Sequence, residues 1–316
     1  MGGLFFAVLR YRRLVTDAYL PMTTAQHMAQ LRARGLLFDD AEAEEFFGRV
    51  SYYRFSHYAR HYRIDKSRGA AFVSDASLKA IVETYDFDDA LRRLVWRAIC
   101  KVEIAFRTQF GNKIALTYGS LAYRDPLIFN KMDLFFDTDT MIGDQLARSK
   151  EPFVREFVDR TPREDPYVWV AFEALSLGLL SKLLSNLKDP KIVSSMAKDW
   201  QLDHSTFVNA IYQVSLIRNV VAHHGMLWAR TWARGSDVTY PDTLARSLDP
   251  VRKASTYRVL VMLAHLLEAV DSSKDFQRDV LRLLERNPAS WAQIGVPGAV
   301  LPPALLLSAT EVGSVA

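Results

Sequence analysis

FDDALRRLVWRAICKVEIAFR, residues 87–107, decides the fold. Leu91, Leu94, Val95, Ala98, Val102, Ala105 and Phe106 recur at i, i+3, i+4 spacing, and the pattern continues to Leu116 before Gly119. That period lays the apolar side chains on one face of an α-helix. Glu103 and Arg107, four residues apart, share a flank of it. They read as an i, i+4 surface pair worth ~0.3–0.5 kcal/mol, unless Arg107 pairs instead with Glu173.

Outward from this segment the same period recurs. Thr23 to Arg34 reads as a helix stopped by Gly35, and Asp39 or Asp40 caps a second one running to about Val50. Ser77 to Tyr85 forms a short helix ahead of the long one. Residues 124–166 are polar and carry prolines, with short helices expected over Met141–Ala147 and Val154–Asp159. Tyr167 to Leu187 is apolar enough to be a buried helix, with Glu173 in its middle. Asp203 or Ser205 caps a helix from Phe207 to His224, and further helices cover Ser255–Val270 and Asp275–Arg286. The expected fold is all-α, with four long antiparallel helices around 87–117, 167–187, 205–224 and 255–270. The expected organisation is an N-terminal helical subdomain over 1–72, the bundle over 73–290, and a proline-interrupted tail over 291–316. Residues 1–20 read as a lead-in and 229–250 as a loop.

At 316 residues and 49% hydrophobic, the chain can bury a substantial core. A formal charge of +4 and a pI near 9.0 permit a nucleic-acid partner without demanding one. Cys100 is the single cysteine, so no internal disulfide can form, and the amphipathic pattern around it suits a small core residue. The apolar start is cut short by Arg10, Arg12 and Arg13, so neither a secretory leader nor a spanning helix fits. A cytoplasmic protein with no membrane association is expected. There is no Walker loop, Rossmann fingerprint, nucleophile elbow or zinc-finger spacing, and no cofactor is expected.

The chemistry concentrates at Arg218-Asn219-Val220-Val221-Ala222-His223-His224, with Gly225 directly after. At 100° per residue Arg218 falls on the stripe of Phe207, Ile211, Val214 and Val221, so its charge needs an acidic or anionic partner. Asn219 and His223 share the neighbouring face, while His224 points elsewhere. The carbonyls at a helix C-terminus favour an imidazolium, which suits a general acid, and a guanidinium fork matches phosphate oxygens. A bare R-x4-H spacing is equally satisfied by an arginine bridged to a core acid and two ordinary helix-end histidines.

The surrounding text decides between these. Leu216-Ile217-Arg218-Asn219-Val220-Val221-Ala222-His223-His224, then Leu227-Trp228, resembles the "RNxxAHHxxLW" signature of the Abi family, the abortive-infection proteins of bacteria. Three other blocks agree in order. Arg34-Gly35-Leu36 with Val50-Ser51-Tyr52-Tyr53-Arg54-Phe55-Ser56-His57-Tyr58 resembles "RGL…ISYYRFSGY". Tyr85-Asp86-Phe87-Asp88, Leu91-Arg92 and Glu103-Ile104-Ala105-Phe106-Arg107 resemble "YxFDxxLR…vEiaxR". Trp169 to Gly178 resembles "WmxxExltfG". Two departures stand out: His57 replaces a small residue, and the "LWNR" ending reads Leu227-Trp228-Ala229-Arg230.

The Abi family is placed in the HEPN superfamily, whose nucleases carry an R-x4-6-H motif. The resemblance therefore implies a HEPN-like helical bundle and a metal-independent endoribonuclease of a defence or toxin type. It implies a homodimer whose two motifs face one another, with Arg218, Asn219 and His223 catalytic and His224 in support. A neutralising RNA or protein antitoxin is a further partner by analogy. The alternative is a non-catalytic RNA- or protein-binding module that acts by sequestration.

Glu173, taken as buried, would pair with Arg218 or Arg107, either fixing helix packing or aiming Arg218 at substrate. Glu103 and Arg107 support the same cluster. Tyr52, Tyr53, Arg54, His57 and Tyr58 open an aromatic-basic run that either stacks on unpaired RNA bases or packs on the helices with its arginines reaching water. His57 and His61 have the i, i+4 spacing of metal ligands, but the flanking arginines repel cations, and no metal is expected.

Overall fold

A computed structural model describes residues 21–67, 69–160, 165–232 and 254–298. The expected lead-in over 1–20, most of the loop after 229 and most of the C-terminal tail lie outside them. Among the described residues the chain is helical, with isolated bridges but no strand. This is the all-α architecture expected from the period of residues 87–107. It divides into two compact units between Asp86 and Phe87.

The first unit holds α1 (Thr24–Ala33), α2 (Asp40–Arg49) and α3 (Tyr52–Ala59), which ends in a 3-10 turn over Arg60–Tyr62. Each start is capped by a side chain. Thr23 and Gln26 form a reciprocal capping box, Asp39 accepts from the amides of Ala41 and Glu42, and Ser51 accepts from that of Arg54. Phe46 and Phe55 meet edge to face, and Phe46 and Tyr58 both meet the ring of Tyr85.

Tyr85 belongs to α4 (Leu78–Tyr118), a single helix of 41 residues. The two helices expected at 77–85 and 87–117 are therefore one, because Asp86 is no helix breaker and the apolar period never lapses. Gly119, at φ 97°, ends it by donating to the carbonyl of Ala115.

In the second unit, α4 is followed by α5 (Met132–Arg148), α6 (Pro152–Arg160), α7 (Val168–Ala174) and α8 (Leu177–Asn186). Then come α9 (Pro190–Asp199), α10 (His204–Ala222), α11 (Thr256–Glu268), α12 (Asp275–Glu285) and a single turn, α13 (Trp291–Ile294). Phe106, Phe110, Phe172, Phe207 and Trp200 form a continuous aromatic core here. Asp203 caps α10 as expected, and Ser255 caps α11. α9 was not expected: Asp189 caps it ahead of Pro190, a signal present in the sequence but hidden in a polar stretch.

The expected helix over 167–187 is two helices. Leu175 (ψ 145°) and Ser176 (ψ 148°) are extended, and side chains satisfy the freed backbone groups. Arg107 donates to the carbonyls of Phe172 and Leu175, while Ser176 donates its amide to Gln145 Oε1 at 2.7 Å. This break also moves Glu173, which lies in the last turn of α7 and is exposed rather than buried. Pairing of Glu173 with Arg107 or Arg218 does not occur among the described contacts.

Candidate functional site at the end of α10

Arg218 stands on α10 facing α4. Its Nε lies 3.8 Å from Glu103 Oε2, and its guanidinium carbon lies 5.8 Å from the centre of the Trp96 ring. Glu103 is the partner that Arg218's place on an apolar stripe demanded. Its other oxygen, Oε1, accepts from Arg107 Nη2. The Glu103 and Arg107 side chains are only 13% and 10% exposed, so this is not a surface pair. One carboxylate thus bridges two arginines. The first is fixed by the carbonyls at the α7–α8 break, with 2.6 Å to Leu175 O. The second, 36% exposed, keeps access to solvent. Its Nε makes no hydrogen bond among the described residues.

Trp96, Cys100, Glu103 and Arg107 follow i, i+4, i+7, i+11 spacing and form one stripe of α4. Burial pushes the Cys100 thiol above its ordinary range, the Glu103 carboxylate adds to this, and Arg218 opposes it. A protonated thiol is a poor nucleophile, in line with the packing role expected of Cys100. Trp96 was missed on sequence, where it reads as one more large residue of an amphipathic helix. It is part-exposed beside the guanidinium and offers a flat apolar face there.

The end of α10 differs from expectation by two residues. The helix stops at Ala222, and His223 is its C-cap (φ −93°, ψ 17°). His224 adopts φ 54°, the left-handed region that favours glycine. His224 N–H donates to Val221 O at 3.0 Å and Gly225 N–H to Val220 O at 2.8 Å, the paired bonds of a Schellman ending. Gly225 is needed for close approach: a Cβ there would sit 2.8 Å from Val220 Cγ1 and 3.0 Å from Val220 O. Asn219, His223 and His224 are all exposed.

Beyond Gly225 the chain is pinned by a residue that sequence reasoning passed over. Asp88, fully buried on α4, accepts from the amides of Leu227 (2.9 Å) and Trp228 (2.6 Å) and pairs with Arg92 Nη1. Thr256 Oγ1 donates to Leu227 O at 2.7 Å. The "FDxxLR" block therefore holds the "LW" of the arginine–histidine block in place. Its signal was a charge pair, Asp88 and Arg92, on an otherwise apolar helix face. Ala229, where the resemblance has asparagine, takes φ 55°. Asparagine is the side chain that best tolerates that conformation after glycine, so the departure removes a backbone preference.

The aromatic-basic run lies in the first unit. Tyr58 is buried, and Tyr52 stacks on His27 with ring centres 3.9 Å apart. Tyr53 and His57 are the exposed rings, edge to face at 4.8 Å, and Arg54 is half-buried. Among the described residues no three histidine, cysteine, aspartate or glutamate side chains cluster as metal ligands. Nor is any described helix long and apolar enough to cross a membrane.

Fold and site define an all-α protein that displays an arginine, an asparagine and a histidine at the solvent end of one core helix. The sequence profile of the Abi-like proteins matches residues 45–229, which takes in both α4 and the whole of α10. The chain belongs to the Abi-like protein family, and this fits a role in abortive infection. No curated protein and no solved structure matches it.

Proposed function

We propose that this protein is a metal-independent endoribonuclease of an abortive-infection defence system, of the HEPN type, acting as a homodimer through its R-x4-H residues. The observation that carries the proposal is the presentation of Arg218. It is tethered loosely at 3.8 Å by Glu103 while remaining 36% exposed, and Asn219 and His223 stand exposed on the same helix end. A purely structural arginine would close its ion pair and hide its guanidinium.

The chemistry follows from these groups. An RNA 2′-hydroxyl attacks the adjacent phosphorus, forming the 2′-O–P bond as the P–O5′ bond breaks. One His223 imidazole takes the hydroxyl proton and another gives a proton to the departing 5′-oxygen, leaving a 2′,3′-cyclic phosphate. Acid–base help of this kind contributes ~10²–10⁴-fold. Arg218 stabilises charge on the phosphoryl oxygens and Asn219 orients the phosphate. Arg218 and His223 are five residues apart, about 140° around an ideal helix, so one copy alone aims them in different directions. A second copy facing the first would supply the missing direction, which favours a dimeric site.

The test is incubation of the purified protein with single-stranded RNA in EDTA, reading fragments that end in cyclic phosphate. His223→Ala is expected to abolish them with an unchanged circular dichroism spectrum. Undiminished cleavage by His223→Ala refutes the assignment, and binding without fragments points instead to sequestration.

A further inference from the structure

A second feature lies on the same helix, away from Arg218. Between α8 and the first half of α10 there is an open hollow of about 470 Å³, within the size range of small-molecule sites. Lys182, Ser185, His204, Ser205, Asn209 and Tyr212 line it. Lys182 has no carboxylate partner among the described residues, and its ammonium meets only the Met141 sulfur at 3.9 Å. A cation left without an acid at the rim of a hollow is suited to an anionic ligand. His204 bonds Ser194 through Nδ1 at 3.3 Å, which leaves its other ring nitrogen directed elsewhere. Tyr212 is 48% exposed and offers an aromatic face. A flat ring, a lone ammonium and several hydroxyl and amide groups are the complement of a nucleotide: a base, a phosphate and a ribose.

The placement ties this hollow to the proposed scissile site. Ser205, Tyr212, Leu216, Asn219 and His223 fall within roughly 40° of one direction around an ideal helix axis. All of them are exposed or part-exposed, and they form the solvent stripe of α10. Tyr212 and His223, eleven residues apart, are separated by about 16 Å of helix rise. At the ~3.4 Å per nucleotide of a stacked strand that is about five nucleotides, and roughly three once the strand is drawn out along the helix.

We propose that the Lys182–Tyr212 hollow is a nucleotide subsite: it seats one base and phosphate of a single-stranded RNA lying along α10, about three nucleotides from the linkage at His223. This rests on the nuclease reading for its direction, but not for its existence. Tyr212 stacks on the base, Lys182 neutralises the phosphate, and the strand then follows the helix past Leu216 to Asn219. The substrate class is unpaired RNA, because a paired base has no free face to offer Tyr212.

Binding of a 5′-fluorescein-labelled 12-nucleotide polyuridine strand to the full-length protein, read by anisotropy in EDTA, tests it alongside cleavage of the same strand. Tyr212→Ala and Lys182→Gln are each expected to weaken binding about tenfold, in line with base stacking, while Tyr212→Phe binds as the unsubstituted protein does. Both residues are surface-exposed, and thermal melting of each variant checks the fold. Equal binding by all four proteins overturns the subsite and leaves the R-x4-H reading intact. Hollow-dependent binding without cleavage overturns the nuclease and leaves the subsite standing. Failure of the unsubstituted protein to bind the strand overturns the subsite, and cleavage then judges the nuclease separately.

Discussion

Asp88→Ala should loosen the end of the candidate site without touching a single one of its displayed side chains. The carboxylate is fully buried, accepts from the amides of Leu227 and Trp228, and pairs with Arg92, itself buried. Losing it leaves two amides that had charge-assisted acceptors, each costing ~1–3 kcal/mol when buried without one. It also removes one of the two carboxylates on Arg92, which keeps Asp89 at 3.0 Å, so this part falls short of the ~3–5 kcal/mol of a fully orphaned buried charge. These contributions overlap, because one group supplies all of them, so the expected loss is ~2–4 kcal/mol rather than their sum. Asp88→Asn keeps an oxygen facing both amides and forfeits only the charge, and should cost about half as much. Two measurements check this: the urea midpoint by circular dichroism, and hydrogen exchange in a peptide covering residues 225–232. Local opening eased by ~3 kcal/mol speeds exchange there about a hundredfold. Unchanged protection in Asp88→Ala, with a midpoint displaced by less than ~0.5 kcal/mol, would refute the anchoring role.

Two smaller perturbations follow from backbone and cap geometry. Ala229 carries a left-handed φ of 55°, so Ala229→Gly and Ala229→Asn should each stabilise the chain by ~0.5–1 kcal/mol in the same urea assay; a destabilised Ala229→Gly would show that the turn is not strained. Although burial acts to raise it, hydrogen bonds from Thr206 and Ser205 hold the Asp203 carboxyl down at about 2, against an ordinary 3.8. A depressed folded value means the cap's contribution is present above about pH 4 and lost as pH falls through 2. Asp203→Ala should therefore cost ~1 kcal/mol at neutral pH, discounted for exposure, with the gap to the unsubstituted protein closing between those values. A gap independent of pH across that window would exclude the carboxylate as its source.

Much of the fold was legible because its signals are local. Capping side chains at Thr23, Asp39, Asp203 and Ser255 stand at the helix starts that the sequence pattern marks, and the long apolar period became α4. What sequence could not give was non-local. Nothing near Leu175 announces a helix break; the break is held from outside by Arg107, 68 residues away, and by Gln145. Glu173 was misjudged for the same reason, since its apparent burial assumed an unbroken helix. At the site, Arg218 was rightly expected to need an acid, but the acid is Glu103. An apolar pattern gives the face of a helix, not which neighbour that face meets. The hollow at Tyr212 had no sequence signal at all, because its lining comes from two helices and contains no motif.

Three of the four blocks of sequence that resemble the family, those around Asp88–Arg107, Trp169–Gly178 and Arg218–Trp228, are joined by these contacts rather than forming separate sites. Arg107 links the Glu103 block to the turn at Leu175, and Asp88 links the start of α4 to Leu227 and Trp228. The contacts of Arg218 with Glu103 and of Leu227 with Asp88 together impose a length on the segment between Arg218 and Leu227. Glu103 and Asp88 are fifteen residues apart on α4, about 22 Å of rise. Arg218 and Leu227 are nine residues apart, which as continued helix would cover only about 13 Å. Extended chain reaches ~30 Å over the same count. Even with side chains closing part of the gap, the segment must unwind before Leu227 to meet both anchors. The Schellman ending at His223–Gly225 provides that unwinding, and the left-handed turn it requires falls on His224. The paired histidines are thus exposed for a mechanical reason: they occupy the point where α10 must stop being a helix if Arg218 is to reach Glu103 and Leu227 is to reach Asp88.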